Sequence, residues 1–175
     1  GVWPTMIAAF DSNGAIDFEG NKAITKYLIG KGSDGLFAVC QSSEMFMLST
    51  KEKVALAACI VEAAEGKVPV IASGHTSDRL EDQIEELSAI SKTGVDAVVL
   101  VSNRLAKEEE TSEVFIQNLT TIMNALPDVN FGIYECPYPY RRLLTDEELK
   151  WCAQSGRIVF LKDVSCDLEI EKRRV

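Results

Sequence analysis

The stretch Arg157-Ile158-Val159-Phe160-Leu161-Lys162-Asp163 is a run of four apolar residues that ends on a lysine and an aspartate. A short apolar run without polar alternation is typical of a strand in a parallel sheet, because both faces of such a sheet are covered. The run therefore predicts a buried strand with Lys162 at its carboxyl end. Partial burial disfavours a charged ammonium and favours the neutral amine, which is a nucleophile. The alternative interpretation is a lysine that only ends the strand and extends its ammonium into water.

Apolar runs of this kind alternate with helical patterns along the rest of the chain. The runs are bounded by glycine, proline or small polar residues, which favour turns at the strand ends. Between the runs, apolar residues recur at the spacing of one helix face. Besides the strand that ends at Lys162, the predicted strands are 2–10, 36–39, 68–72, 97–101 and 130–134.

Two of the predicted helices begin with a capping box, in which a serine or threonine lies three residues before a glutamate. Ser49 with Glu52 forms one such pair, and Thr145 with Glu148 forms the other. The side chains of each pair accept hydrogen bonds from backbone N–H groups that the first helical turn leaves unpaired. Helices are predicted at 17–29, 49–64, 77–93, 114–126 and 145–154, and the tail from 171 onward has the pattern of a further helix.

Six alternations of strand and helix predict an α/β fold with a parallel sheet. Either a (β/α) barrel or an open doubly wound sheet of the flavodoxin type would produce this pattern. A complete eight-unit barrel takes about 250 residues, so a barrel here is C-terminally incomplete, with about six β/α units and the last two missing. We expect a single barrel domain over residues 1–175. Its two unpaired sheet edges favour association, so we expect this 175-residue form to be inactive or poorly stable unless a partner covers the gap.

The composition is that of a globular protein, with 46% hydrophobic residues and a formal net charge of -9. An acidic charge balance argues against nucleic-acid partners and against an anionic membrane surface. No apolar run approaches the roughly 20 residues that a transmembrane helix needs. The five cysteines are odd in number and lack C-x-x-C spacing, and the first residues carry no signal-peptide pattern. These features favour a reducing, cytoplasmic compartment.

The residues that follow the predicted strands meet at one rim in either architecture, because ligands bind at the carboxyl ends of parallel strands. These segments are rich in small and polar residues, whose hydroxyl and backbone N–H groups suit an anion such as a carboxylate. No phosphate-binding loop of the Walker or G-x-G-x-x-G type is present, which argues against a nucleotide. The segments are 40–44, 73–76, 102–104, 134–137 and 162–163.

Three cysteines and the single histidine follow strands and would lie near this rim. A convergence of Cys40, Cys136, Cys166 and His75 is one way to form a zinc site. The interpretation that we favour is that the cysteines serve as small side chains in a crowded rim. We therefore expect no metal and no cofactor.

Three segments, in their order and spacing, resemble motifs of the dihydrodipicolinate synthase and N-acetylneuraminate lyase family of class I aldolases. Residues 34–44 with Leu48-Ser49 resemble the family's Gly-Thr-Thr-Gly-Glu segment and its trailing Leu-Ser. Residues 134–137 (Tyr-Glu-Cys-Pro) resemble Tyr-Asn-x-Pro, and residues 160–163 (Phe-Leu-Lys-Asp) resemble the Ile-Lys-Asp or Ile-Lys-Glu of the Schiff-base strand. The resemblance covers the whole chain. It implies a TIM (β/α)8 barrel, a homo-oligomer (tetramer or dimer) and a Schiff-base lyase or aldolase acting on pyruvate or a related 2-oxo acid.

The resemblance also implies a role for each matching residue. Lys162 attacks the ketone of the 2-oxo acid and forms an iminium that accepts electrons while a carbon–carbon bond is made or broken. Tyr134 transfers protons to and from the reacting oxygen. Ser42 and Ser43, with backbone N–H, bind the substrate carboxylate, and Gln41 lies beside them as a further substrate-binding residue.

The chain departs from the synthase pattern at several positions. Gln41 stands where the synthase has the first threonine of its pair, so a hydroxyl relay through that position is absent. Residues 102–105 lack the tyrosines that the synthase supplies to a neighbouring site. Arg141 and Arg142 lie two or three positions later than the synthase's substrate arginine, so that role does not carry over directly to Arg141. We therefore expect a 2-oxo acid reaction other than dihydrodipicolinate synthesis; the alternative is a non-catalytic member that binds a small oxo acid. The Glu44 carboxylate is expected to accept hydrogen bonds from its own loop.

Overall fold

Five of the six predicted strands are present and follow helices in the predicted order, and the short helix Ser102–Leu105 was not predicted. The computed structural model describes residues 1–174. Its strands are β1 (Leu36–Ala38), β2 (Val70–Ala72), β3 (Ala97–Val101), β4 (Phe131–Tyr134) and β5 (Ile158–Lys162). Its helices are α1 (Phe18–Gly30), α2 (Thr50–Ala64), α3 (Leu80–Ser91), α4 (Ser102–Leu105), α5 (Ser112–Ala125), α6 (Asp146–Gln154) and α7 (Leu168–Arg174), and a 3₁₀ turn spans Gln41–Ser43.

Both predicted capping boxes are confirmed, at the starts of α2 and α6. The Ser49 N–H donates to the Glu52 carboxylate at 2.8 Å, and the Glu52 N–H donates to the Ser49 hydroxyl at 3.4 Å. The corresponding distances for Thr145 and Glu148 are 3.0 and 3.2 Å. These reciprocal bonds fix where each helix begins.

Helix α3 is shorter than the predicted helix at 77–93. The backbone N–H groups of Thr76 and Ser77 each donate to the Glu86 carboxylate at 3.0 Å. Glu86 in turn pairs with the buried ammonium of Lys53 at 3.0 Å. This network holds the residues after β2 as a loop, and the helix therefore starts three residues later than its polar pattern suggests.

All strand pairs are parallel, and the strands lie in the sheet in sequence order, β1-β2-β3-β4-β5. A doubly wound sheet of the flavodoxin type instead has the order 2-1-3-4-5, with a reversal at its switch point. The flavodoxin-type alternative is therefore wrong. Sequential order is what a barrel requires, because each crossover advances the sheet by one strand in the same direction.

The sheet curls until its first and last strands share one interior. The ring centroid of Phe37 on β1 lies 5.8 Å from that of Phe160 on β5 and 5.6 Å from that of Tyr134 on β4. In a flat sheet with strands about 4.8 Å apart, β1 and β5 would be separated by about 19 Å. Trp3 also reaches Phe160, with a centroid distance of 5.7 Å. Aromatic rings therefore fill the interior of an incomplete barrel.

The predicted first strand, 2–10, forms two isolated bridges, a parallel one between Thr5 and Phe37 and an antiparallel one between Phe10 and Ile16. The Met6 N–H donates to the Phe37 carbonyl at 2.9 Å, and the Phe37 N–H donates to the Pro4 carbonyl at 3.1 Å. Pro4 itself has no N–H to extend the ladder. The segment thus runs beside β1, in the position of a barrel's first strand, but its extent as a regular strand was overpredicted.

Glycines allow two of these aromatic contacts. A Cβ on Gly132 of β4 would lie 3.0 Å from the Cβ of Phe160, and the β4–β5 register is irregular at this point. A Cβ on Gly35 would lie 2.5 Å from the ring of Trp3. The absence of a side chain at both positions lets large rings pack directly on the backbone.

Among residues 1–174, none of the helices combines the length and apolar character that crossing a bilayer would require.

Candidate active site

Lys162 and Tyr134 end neighbouring strands and face each other across the β4–β5 pair, in which they are register partners. The Lys162 Nζ lies 4.4 Å from the centroid of the Tyr134 ring. The lysine is half-buried and the tyrosine is buried. The amine is thus held over a ring face rather than directed into bulk water, in the geometry of a cation–π contact when it is charged.

The Tyr134 hydroxyl is held as a hydrogen-bond donor. It donates to the Gln41 Oε1 at 3.2 Å, and the Cys136 thiol donates to the same oxygen at 3.6 Å. Burial, and then the adjacent thiol of Cys136, raise the pKa of Tyr134 above its ordinary value. The phenol therefore stays protonated at neutral pH and can act as a proton donor beside the amine.

Gln41 belongs to the 3₁₀ turn that follows β1, and its side chain is half-buried. Because its carbonyl oxygen is turned toward Tyr134 and Cys136, its amide nitrogen is directed elsewhere and has no acceptor within residues 1–174. The exposed Ser42 is likewise without a hydrogen-bond partner for its hydroxyl in this part of the chain. Gln41 thus has a free amide nitrogen on a side chain that contacts Tyr134, and Ser42 follows Gln41 in the same turn.

Both groups of Ser43 that were expected to face a substrate are engaged inside the protein. The Ser43 hydroxyl donates to the Met6 carbonyl at 2.6 Å, and the Ser43 N–H donates to the Cys40 carbonyl at 3.0 Å. The side chain is fully buried. Ser43 thus fixes the 3₁₀ turn against the N-terminal segment, and the turn presents Gln41 and Ser42.

An unusual backbone conformation at Val39 precedes the 3₁₀ turn and sets its direction. Val39 has a φ of 48°, a region that is strained for a β-branched residue and costs on the order of 1–3 kcal/mol. Its carbonyl accepts the Gly74 N–H at 3.0 Å, and its side chain is fully buried. Burial and this bond hold the strained residue, which bends the chain from β1 into the site.

The expected role of the Glu44 carboxylate is wrong. Glu44 is exposed, and its carboxylate accepts no hydrogen bond from any residue within 1–174. Its backbone closes the turn instead, through a bond of 2.9 Å from the Glu44 N–H to the Gln41 carbonyl. A φ of 59° at Glu44 makes this closure possible.

The residues of the hypothetical zinc site do not converge. Within residues 1–174, no group of three or more His, Cys, Asp or Glu side chains is arranged to hold a metal ion. Both ring nitrogens of His75 are engaged: Nδ1 accepts the Val101 N–H at 2.9 Å, and Nε2 lies 2.9 Å from the Gln83 Oε1. Because Nδ1 is an acceptor, the proton is on Nε2 and the imidazole is neutral. Cys166 is exposed.

The buried imidazole makes stability depend on pH. Burial is the main cause that lowers the pKa of His75 to about 4, against a weaker opposing effect of Gln83. The unfolded chain, with an ordinary pKa near 6.5, binds the proton first, so stability is full above about pH 6.5 and falls as the pH drops toward 4. We expect the free energy of unfolding to decrease by about 2 kcal/mol between pH 7 and pH 5.

Urea denaturation at the two pH values measures this decrease. The chain has one histidine, so the His75→Asn variant is the matched control and should lose most of the difference. An equal pH dependence in the wild type and in the variant would show that other groups cause it.

The two arginines after β4 have different surroundings. Arg142 is buried and makes a two-pronged pair with Glu148, at 3.1 and 2.6 Å. Arg141 is exposed and donates to the Ser165 carbonyl at 3.5 Å. Arg142 thus anchors α6, and Arg141 lies over the loop that follows Lys162.

Sequence reasoning missed the buried acidic residue next to Tyr134. Glu135 is fully buried and forms an ion pair with Arg174 of α7, which also pairs with Asp163 directly after Lys162. The available signal was a carboxylate at the end of a buried strand, since such a group requires a cationic partner. The partner is 39 residues away in sequence, so no local motif reveals it.

Comparisons with known proteins match the whole chain. The sequence model of the Dihydrodipicolinate synthetase family matches residues 1–175. The 4-hydroxy-tetrahydrodipicolinate synthase of Bacillus subtilis (strain 168) is 32% identical over 169 residues, which is 96% of this chain and 57% of that protein. A dihydrodipicolinate synthase structure from Bacillus anthracis has a TM-score of 0.84 at 27% identity, covering 99% of this chain and 58% of that one.

A sialic acid aldolase structure from Ruminococcus gnavus, in which the catalytic lysine is mutated, has a TM-score of 0.85 at 24% identity. It covers 99% of this chain and 56% of that one, and at this identity it shows the fold alone. The strand order and these matches confirm the predicted incomplete (β/α) barrel. The chain spans slightly more than half the length of the relatives that it matches, 57% for the B. subtilis protein.

Proposed function

This chain belongs to the dihydrodipicolinate synthetase family, and from that premise we propose that its protein is a Schiff-base-forming lyase or aldolase for pyruvate or a related 2-oxo acid. The observation that carries the proposal is the 4.4 Å approach of the Lys162 amine to the Tyr134 ring, at the carboxyl ends of two adjacent strands. In this arrangement a nucleophile and a proton donor share one partly desolvated site.

The chemistry begins at the Lys162 nitrogen. The neutral amine attacks the ketone carbon, so that a carbon–nitrogen bond forms and the carbonyl oxygen becomes the hydroxyl of a carbinolamine. Tyr134 donates a proton to this hydroxyl as it leaves as water, and an iminium results. The iminium accepts the electron pair when a carbon–carbon bond breaks, and the derived enamine supplies that pair when one forms.

The substrate carboxylate is assigned to the donors of the 3₁₀ turn. The Ser42 hydroxyl and the Gln41 amide nitrogen are free, and the N–H groups of these two residues have no acceptor within residues 1–174. The first N–H groups of a helical turn are suited to bind an anion. Ser43 contributes by fixing the turn through its bond to Met6.

The reaction is proposed to differ from dihydrodipicolinate synthesis, although the B. subtilis relative carries that activity in its name. The amide oxygen of Gln41 accepts a hydrogen bond from the Tyr134 hydroxyl. Unlike a hydroxyl group, an amide cannot receive a proton from Tyr134 and donate another to a further group. The segment 102–105 lacks the tyrosines that the synthase has there. Arg142 forms an ion pair with Glu148 and is therefore not free to bind a substrate. These features favour a different carbonyl partner for the 2-oxo acid.

We further propose that residues 1–175 belong to one barrel domain of a cytoplasmic homo-oligomer, a dimer or tetramer. Family membership supports this assembly, and the two open edges of the sheet favour contacts that cover them. Activity is assigned to the full-length protein.

The test is reduction with borohydride in the presence of pyruvate, followed by peptide mass spectrometry of the full-length protein. We expect one reduced pyruvate, as a carboxyethyl group, on the nitrogen of Lys162. Pyruvate binding without any adduct would favour the non-catalytic oxo-acid binder. If the protein showed neither an adduct nor pyruvate binding, both functions would be contradicted.

A further inference from the structure

A buried carboxylate lies directly after Tyr134. Both oxygens of Glu135 accept backbone hydrogen bonds: Oε1 from the Leu144 N–H at 2.7 Å and Oε2 from the Val164 N–H at 3.2 Å. Its own N–H donates to the Lys162 carbonyl at 3.3 Å. Glu135 therefore connects the ends of β4 and β5 and the loop that precedes α6.

Arg174 completes this connection from α7. Its Nη1 donates to the Glu135 Oε2 at 3.0 Å and also to the Asp163 Oδ2, and its Nη2 lies 2.9 Å from the Glu135 Oε1 and donates to the Leu144 carbonyl at 2.9 Å. The arginine side chain is 6% exposed. We call Arg174, Glu135 and Asp163 the Arg174 cluster.

The positive charge of Arg174 stabilises the two acidic side chains of the cluster. Glu135 is 0% exposed, and a buried carboxylate without a cation is strongly destabilising. Burial opposes ionisation of Asp163, but hydrogen bonds from Ser165 and Arg174 outweigh it and lower the pKa of Asp163. Burial also opposes the charge on Arg174, but Glu135 and Asp163 outweigh it and raise the pKa of Arg174. Asp163 and Arg174 therefore favour their charged forms, and the guanidinium is the cation that lies against the buried Glu135 side chain.

The position of the cluster relates it to the reaction. Glu135 and Asp163 are the residues immediately after Tyr134 and Lys162. One planar guanidinium binds both of them, and its fixed fork geometry sets the distance and angle between the two strand ends. The reacting side chains lie one residue before these anchors, so the geometry of the guanidinium determines how the amine approaches the phenol.

We propose that Arg174 is a positioning residue, which holds Lys162 and Tyr134 in the relative placement that iminium formation needs. This inference rests on the proposed function of the same site. Arg174 reaches no group of the 3₁₀ turn that is assigned to the substrate carboxylate. Its loss should therefore slow the chemical step and leave pyruvate binding nearly unchanged, because displacement of reacting groups by about 1 Å can cost on the order of 100-fold in rate.

The experiment measures the rate of pyruvate trapping by cyanoborohydride in the full-length protein as a function of pyruvate concentration. Arg174→Lys keeps the positive charge but loses the fork. We expect its maximal trapping rate to fall about 10- to 100-fold, while its half-saturating pyruvate concentration changes less than about threefold. Arg142→Lys is the matched control: it weakens another buried two-pronged pair, and we expect lower thermal stability with an unchanged trapping rate.

The double variant Glu135→Gln with Arg174→Met separates positioning from charge neutralisation. It removes the buried carboxylate together with its cation, so we expect thermal stability to recover relative to Arg174→Met alone, while trapping remains slow. Asp163→Asn, at a half-buried position that tolerates an isosteric change, should also slow trapping because it detaches one arm of the cluster.

Wild-type trapping in any one of the Arg174→Lys, double or Asp163→Asn variants would overturn the positioning role. A wild-type protein that forms no adduct would instead contradict the proposed function, so the two failures are distinguishable.

Discussion

Replacement of Lys162 by methionine is expected to abolish the reduced pyruvate adduct and to lower any lyase or aldolase activity by on the order of 10⁴-fold or more, as loss of a covalent nucleophile does elsewhere. Methionine retains an unbranched apolar stem that can lie against the Tyr134 ring. Lys162 is half-buried and forms no ion pair within residues 1–174. We therefore expect the variant to fold with nearly wild-type stability, which thermal unfolding would verify.

Two further variants sharpen the assignment. Lys162→Arg keeps the charge but is not a nucleophile, because a guanidinium stays protonated at accessible pH. It should be as inactive as the methionine variant if the amine itself reacts. Lys150→Met removes an exposed lysine of α6, and we expect it to form the adduct at the wild-type rate. An adduct that persists in Lys162→Met on another residue, such as the buried Lys53, would refute the assignment.

The fold was predictable because its signals are local. The capping boxes at Ser49 and Thr145 fixed two helix starts, and uninterrupted apolar runs located the strands. The order of the strands in the sheet could not be predicted, because the sequence of a strand does not show which strands it pairs with. It became known only from the pairing of β1 through β5, and the contact between Phe37 and Phe160 required the whole sheet to curl.

The candidate site divides in the same way. The placement of Lys162 and Tyr134 at one rim was predictable because each ends an apolar run and parallel strands end at the same rim. Their roles in the reaction are implied by the family resemblance and stay predictions. The engagement of Ser43 was hidden, because its hydroxyl bonds to the carbonyl of Met6, 37 residues away in sequence. The pairing of Glu135 with Arg174 was hidden as well, because it joins residues from distant parts of the sequence.

Replacement of Tyr134 by phenylalanine is expected to slow pyruvate trapping by on the order of 10²- to 10³-fold, the effect of losing a positioned general acid. The ring remains over the Lys162 amine and against Phe37, so the packing of the site is preserved. The lost hydrogen bond to Gln41 is expected to cost about 1 kcal/mol in unfolding free energy. A large kinetic effect with this small loss of stability would show that the hydroxyl acts in the reaction.

The pH dependence gives an independent measure of the same hydroxyl. Because burial and the Cys136 thiol raise the pKa of Tyr134, the phenol should keep its proton beyond the ordinary tyrosine range, and the wild type should not lose its acid near pH 10. Tyr140→Phe is the matched control, since it removes a hydroxyl that donates to the Asn103 carbonyl at 3.1 Å outside the site; its trapping rate should equal that of the wild type. If Tyr134→Phe also trapped pyruvate at that rate over the whole pH range, the proton would come from water, and the role assigned to Tyr134 would be wrong.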